Sequence, residues 1–139
     1  GLAARRISED AIAEADAVLT SIEPMVFQSD NLDHDAIMEA DIAFHRIVAR
    51  ASENPALEAL IEALASRTIR TRMWRAISEE GAVRATHAEH RAIQHALAVH
   101  DPDAARLRMG THLLAVEEFS HDHAAEKAPD DSTASTEVQ

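Results

Sequence analysis

The sequence contains no cysteine, so a disulfide framework, a thiolate metal site and a thiol nucleophile are all excluded, and any metal must be held by histidine and carboxylate. The same absence fits a reducing cytoplasm. No run of about 18 apolar residues occurs, and the N-terminus lacks the apolar core of a signal peptide. The expectation is a cytoplasmic protein with no membrane partner. Tyrosine is absent, aromatics make up 3% of the residues, and there are only three glycines and four prolines, a composition that favours helices joined by few turns over sheet. Positive charge is scarce: 13 basic against 25 acidic residues leave a net charge of −12, which repels a phosphate backbone. This chain by itself is therefore not expected to bind DNA or RNA. At 139 residues it has the length of one domain.

What the chain does have is helical periodicity. Ser8 is an N-cap with Glu9 and Asp10 in the first turn, and Ile12, Ala15, Val18, Leu19 and Ile22 form an i, i+3, i+4 stripe, which predicts a first helix from about Ser8 to Ile22. A second helix follows the Asp33-His34-Asp35 cluster, carries Ile37, Phe44, Val48 and Ala51, and stops at Ser52-Glu53-Asn54-Pro55. Asn54 and Pro55 then open a long third helix with Leu57, Leu60, Ile61 and Leu64 inward, continuing through the cationic stretch Arg67 to Ile77. Glu79-Glu80-Gly81 ends it. A fourth helix from about Ala82 to Val99 and a fifth from about Asp103 to Phe119, capped by Asp101-Pro102, complete the set. Short links imply antiparallel neighbours. The expected architecture is an all-α antiparallel helical bundle over residues 1–119, with residues 120–139 a disordered polar tail.

Placing residues about 100° apart on each helix exposes an anomaly. Asp41 and His45 fall in the middle of the apolar arc of the second helix, opposite Glu39, Arg46 and Arg50, and one turn apart on one face. His90 lies between Val83, Leu97 and Ile93 on the fourth helix, with His87 nearer the edge. His112 is flanked by Ala105, Met109, Val116 and Phe119 on the fifth. An ionised Asp buried without a partner costs several kcal/mol. A divalent cation offsets that cost directly, because carboxylate oxygen and imidazole nitrogen are ordinary ligands. Asp41, His45, His90 and His112 are therefore the candidate metal ligands. A set of satisfied core polar residues is the plainer alternative for any one of them. The donor set suits zinc, with nickel or manganese as alternatives. His87 and His100 are candidates for groups supporting the ligands, whereas His34, His95, His121 and His123 read as loop or surface residues. Glu118 and His121 supply half of a di-iron carboxylate motif whose other half is missing.

Extending the apolar face of the third helix past Leu64 turns Thr71, Arg72 and Arg75 inward with Arg67 at the margin, which makes these four candidate contacts for a small carboxylate. Solvated surface arginines are the alternative. On the fifth helix, Leu107 and Leu114 form a second apolar strip away from His112, fitting either a homodimer surface or a further packed helix.

The runs Asp41-Ile42-Ala43-Phe44-His45, Ala51 to Leu57, Glu89-His90-Arg91-Ala92-Ile93, Asp101 to Ala105 and His112-Leu113 resemble the FCD effector-binding domain of GntR-family transcription regulators. The resemblance spans about Leu2 to Phe119. It implies an antiparallel bundle that dimerises and senses a small carboxylate metabolite, with an Asp and three His holding a metal at the positions of Asp41, His45, His90 and His112. It also implies that Leu2 to Arg6 is the end of a first helix whose greater part is missing, and that DNA is contacted by a winged helix-turn-helix outside this chain. The expected function is thus metal-dependent effector sensing rather than catalysis. The alternatives are a metal-dependent enzyme acting on a small acid or ester, and a closed, purely structural metal site.

Overall fold

The computed structural model describes residues 1–28, 32–63, 76–77 and 81–126, the side chains of Gln28 and of residues 119–126 excepted. Among the described residues there are helices and no strand: α1 (Leu2–Arg6), α2 (Glu9–Gln28), α3 (His34–Ala51), α4 (residues 55–63), α5 (Ala82–Ala98) and α6 (Pro102–Glu126). The all-α bundle expected from the sequence is the fold observed.

Local chemistry sets most of the helix starts. The Ser8 hydroxyl accepts from the Ala11 amide at 3.2 Å, Asp33 from Ala36 at 3.0 Å and Asn54 from Leu57 at 3.2 Å. Asp101 accepts from both Asp103 and Ala104. Each side chain satisfies an amide that has no partner within its own helix. Gly81 opens α5 at φ +81°, a left-handed conformation that a side chain would strain.

Two boundaries differ from those read in the sequence. Helix α2 does not stop at Ile22 but runs through Pro24 to Gln28. A proline inside a helix costs about 3 kcal/mol. The extension offsets that cost by burying Val26, only 1% exposed, against Ile37, Ala40 and Val83, and its carbonyl accepts from Arg84 Nε at 3.1 Å. Helix α6 continues beyond Phe119 to Glu126, and residues 127–139 lie outside the described residues. Leu60, expected inward, is 54% exposed, whereas Leu57 and Ile61 of the same stripe are partly buried; Arg46 Nε of α3 pairs with Glu62 of α4 at 3.2 Å.

Side-chain pairings fix the directions of the helices. Glu14 meets Arg50 at one end of α2 and α3 while Ile22 and Val26 meet Ile37 and Ala40 at the other, so the two are antiparallel. Arg84 reaches Val26 and Arg91 reaches Asp16, which makes α5 antiparallel to α2. The core has two apolar clusters. One holds Leu19, Phe44, Ile47, Ile93, Leu97 and Ala105, the other Ile22, Val26, Ile37, Ala40 and Val83. Along α3 and α5, Asp41 and His90 fall between members of the two clusters, so the polar residues occupy the seam where α3, α5 and α6 converge.

Candidate metal centre

Three imidazoles meet at that seam. His90 Nε2 lies 3.3 Å from His112 Nε2, and the ligand nitrogens of His45, His90 and His112 all fall within 4.8 Å of one another. Asp41 joins them: its Oδ1 is 3.6 Å from His90 Nε2 and 3.8 Å from His45 Nε2. The side chains are 12% (His45), 9% (Asp41), 3% (His90) and 1% (His112) exposed, so bulk water does little to solvate them. The i, i+4 spacing on α3 aligns the Asp41–His45 pair, and α5 and α6 each add one ring. Phe44 braces the cluster from the core, its ring centroid 4.8 Å from that of His90 and 5.8 Å from that of His45.

The donor set fits a divalent ion. Ligand atoms about 2.0–2.1 Å from zinc at tetrahedral angles stand roughly 3.3 Å apart, the separation already present between His90 and His112. The tautomer of His112 also fits. Its Nδ1 is 2.8 Å from Glu89 Oε2, and because a carboxylate only accepts, Nδ1 carries the hydrogen and Nε2, which faces His90, is the nitrogen left to bind a metal. His45, His90 and His112 could thus hold a metal ion.

Glu89 is a residue that sequence reasoning missed. A histidine ligand commonly donates its second nitrogen to a carboxylate, so a partner was to be expected. Choosing Glu89 among 25 acidic residues requires the register of α5 against α6, which no local pattern carries. His87 was misplaced rather than missed: expected near the edge of its helix, it is 4% exposed. Helix α2 covers it, with Phe27 edge-on at a centroid distance of 5.6 Å and Glu23 Oε1 3.6 Å from its Nε2. Burial and, secondarily, the nearby Arg91 hold the His87 pKa below the usual imidazole value. Glu23 itself is held below the usual carboxylate range, chiefly by its hydrogen bonds from Arg91, which also reaches Asp16 at 2.8 Å and Thr20 at 2.7 Å.

The remaining sequence candidates separate cleanly. His100 lies away from the cluster, its Nδ1 2.9 Å from the Ala4 carbonyl oxygen, and His95 is exposed. The proposed carboxylate contacts Arg67, Thr71, Arg72 and Arg75 lie outside the described residues, as do the side chains of His121 and His123.

A cavity with about 50 Å³ open to the centres of water-sized molecules borders Asp41, His90 and His112 on one side and Ile22, Ile37 and Val83 on the other. One water needs about 10–15 Å³ on that measure, so the space takes several atoms of a small ligand. A larger cleft of about 420 Å³ between α2, α3 and α4 offers only surface ion pairs, Arg46–Glu62 and Arg50–Glu14, whose side chains are 55–56% exposed. Pairs so solvated bind weakly. The buried polar side chains Asp41, His87, His90 and His112 line the smaller cavity.

A sequence model of the FCD domain matches residues 1–115. The chain belongs to the FCD family. Membership bears out the resemblance to the FCD domain read from the sequence. The galactonate operon transcriptional repressor of Escherichia coli (strain K12) is 31% identical over 105 residues, which cover 74% of this chain and 43% of the repressor. The chain thus spans less than half the length of that relative. Within the FCD domain, no helix among the described residues is long and apolar enough to cross a membrane.

Proposed function

We propose that this FCD domain is the effector-sensing and dimerising part of a GntR-type transcription regulator, in which Asp41, His45, His90 and His112 hold one divalent metal, zinc before nickel or manganese, and a small carboxylate occupies the adjoining cavity. The observation that supports it most is the convergence of three imidazole nitrogens, those of His45, His90 and His112, within 4.8 Å, two of them (His90 and His112) on the wall of a largely apolar cavity that Asp41 also lines. When bound, a divalent ion beside one carboxylate supplies a net charge of about +1, which attracts an anion strongly where water is scarce. The chain's own residues do the rest. Glu89 orients His112, Phe44 packs against His90 and His45, and the apolar walls exclude water from the ligand. A relative named for a galactonate operon agrees with this reading, since galactonate is a carboxylate. DNA contact is assigned to a separate winged helix-turn-helix domain, for which the charge of −12 makes these 139 residues unsuited. A ligand touching α3, α5 and α6 at once can bias their packing and so the attached domain.

The test is calorimetry of di- and hydroxycarboxylates against metal-loaded, chelator-stripped and His112→Ala protein. The acid is expected to bind the loaded form at least about tenfold more tightly than the other two. Equal affinity for all three forms would remove the metal from the sensing site.

The homodimer is supported by Leu107 and Leu114, one heptad apart on α6 and 71% and 57% exposed, with Leu113 beside them at 53%. Sedimentation at increasing concentration is expected to give twice the chain mass, and Leu107→Glu with Leu114→Glu to return the monomer. A wild-type chain that stays monomeric at high concentration would end this part of the proposal.

A further inference from the structure

Among the described residues, His87 is the one fully buried polar side chain on the cavity wall that does not belong to the metal cluster. Neither of its ring nitrogens has a hydrogen-bond partner. Glu23 Oε1, the nearest carboxylate oxygen at 3.6 Å, is too far for a good bond and is already committed to Arg91, while Phe27 closes the ring from the edge. A buried imidazole in this condition recovers only part of its desolvation penalty, through the nearby charge of Glu23. A fuller hydrogen-bond partner can enter from the cavity that His87 lines.

We propose that His87 is the second anchor of the cavity's ligand and recognises a neutral hydroxyl, so that the domain selects hydroxycarboxylates over their deoxy counterparts. This rests on the reading above, in which the carboxylate end lies beside the metal cluster. The charges around His87 choose the group. A second carboxylate would face the carboxylate of Glu23, and an ammonium would face the guanidinium of Arg91, both close to the ring. A hydroxyl carries no charge and both donates and accepts, so it pairs with either tautomer of the imidazole. An alkyl group there would leave both nitrogens unpaired, the situation in which a buried polar site rejects an analogue most strongly.

The experiment uses acids matched except for hydroxyl groups: lactate against propionate, malate against succinate, and gluconate against hexanoate. Each is titrated into metal-loaded and chelator-stripped wild type, His87→Phe and His87→Gln. His87→Phe keeps the size of the ring against Phe27 and is expected to melt no lower than the wild type, since it removes an unpaired buried polar group. In at least one pair the wild type is expected to favour the hydroxylated acid about tenfold or more. His87→Phe is expected to reduce that preference below about twofold with the deoxy acid's affinity unchanged, and His87→Gln to restore part of it. A hydroxyl preference that depends on His87 but not on the metal would support this inference while refuting the metal-centred reading. Metal-dependent binding with a preference equal in wild type and His87→Phe, or with no preference, overturns the inference alone. Failure of every acid to bind the wild type overturns both.

Discussion

Replacing His112 by alanine is expected to weaken binding of a divalent metal by about 100- to 1000-fold. Structural zinc sites bind with about 10–16 kcal/mol shared among four ligands, or roughly 2.5–4 kcal/mol for each, and every 1.4 kcal/mol is tenfold. His112 is the least exposed of the three imidazoles, and its Nε2 lies 3.3 Å from His90 Nε2, so its loss removes a donor from the centre of the cluster. Glu89→Ala is expected to give a smaller loss, about 10-fold, because it removes only the carboxylate that fixes the His112 tautomer, and that carboxylate is 32% exposed, where water can substitute. Competition against a chelating dye measures both, and elemental analysis of the dialysed wild type is expected to give close to one metal per chain. Circular dichroism separates loss of metal from loss of fold. A His112→Ala protein with wild-type affinity would remove this cluster as the metal site.

Phe44→Ala is expected to cost about 3–5 kcal/mol of stability, a large share of the roughly 5–15 kcal/mol that holds a domain of this size together. The Phe44 ring is fully buried at the centre of the cluster formed by Leu19, Ile47, Ile93 and Leu97, where a cavity has no easy way to collapse. It also stacks obliquely on His90, with an interplanar angle of 31°, so its removal loosens the imidazole cluster as well as the core. Metal that binds only the folded state stabilises it by about 2.7 kcal/mol at a hundred times its dissociation constant. Excess metal is therefore expected to restore part of the loss in Phe44→Ala and, at the same concentration, to add less than about 0.5 kcal/mol to His112→Ala. Urea denaturation with chelator and with added zinc measures both effects. A loss below about 1 kcal/mol for Phe44→Ala would mean that the packing around the histidines does not depend on that ring.

Much of the fold was legible because helix formation is a local affair. The caps at Ser8, Asn54 and Asp101 read correctly because a side-chain oxygen three residues before an unpaired amide is a short-range arrangement. The extension of α2 past Ile22 was not legible for a related reason: the cost of Pro24 is local, whereas the burial of Val26 depends on α3 and α5 being alongside. Leu60 shows the converse: its place in an apolar stripe is local, and what covers or exposes it is not.

The sequence by itself determined that the chain is helical, which face of α2, α3, α5 and α6 turns inward, and that Asp41, His45, His90 and His112 interrupt those faces with groups able to bind a metal. A period of 3.6 residues carries that information, since it needs nothing beyond one helix. Only the tertiary structure decided which of these groups meet, that Glu89 orients His112, and that His87 is sealed beneath Phe27 beside Glu23 and Arg91. Those facts depend on how far one helix slides along the next, and a slide of a single turn would bring different side chains together while leaving every helix's own pattern unchanged. The packing of Leu19, Phe44, Ile93, Leu97 and Ala105, contributed by four helices at once, sets that register.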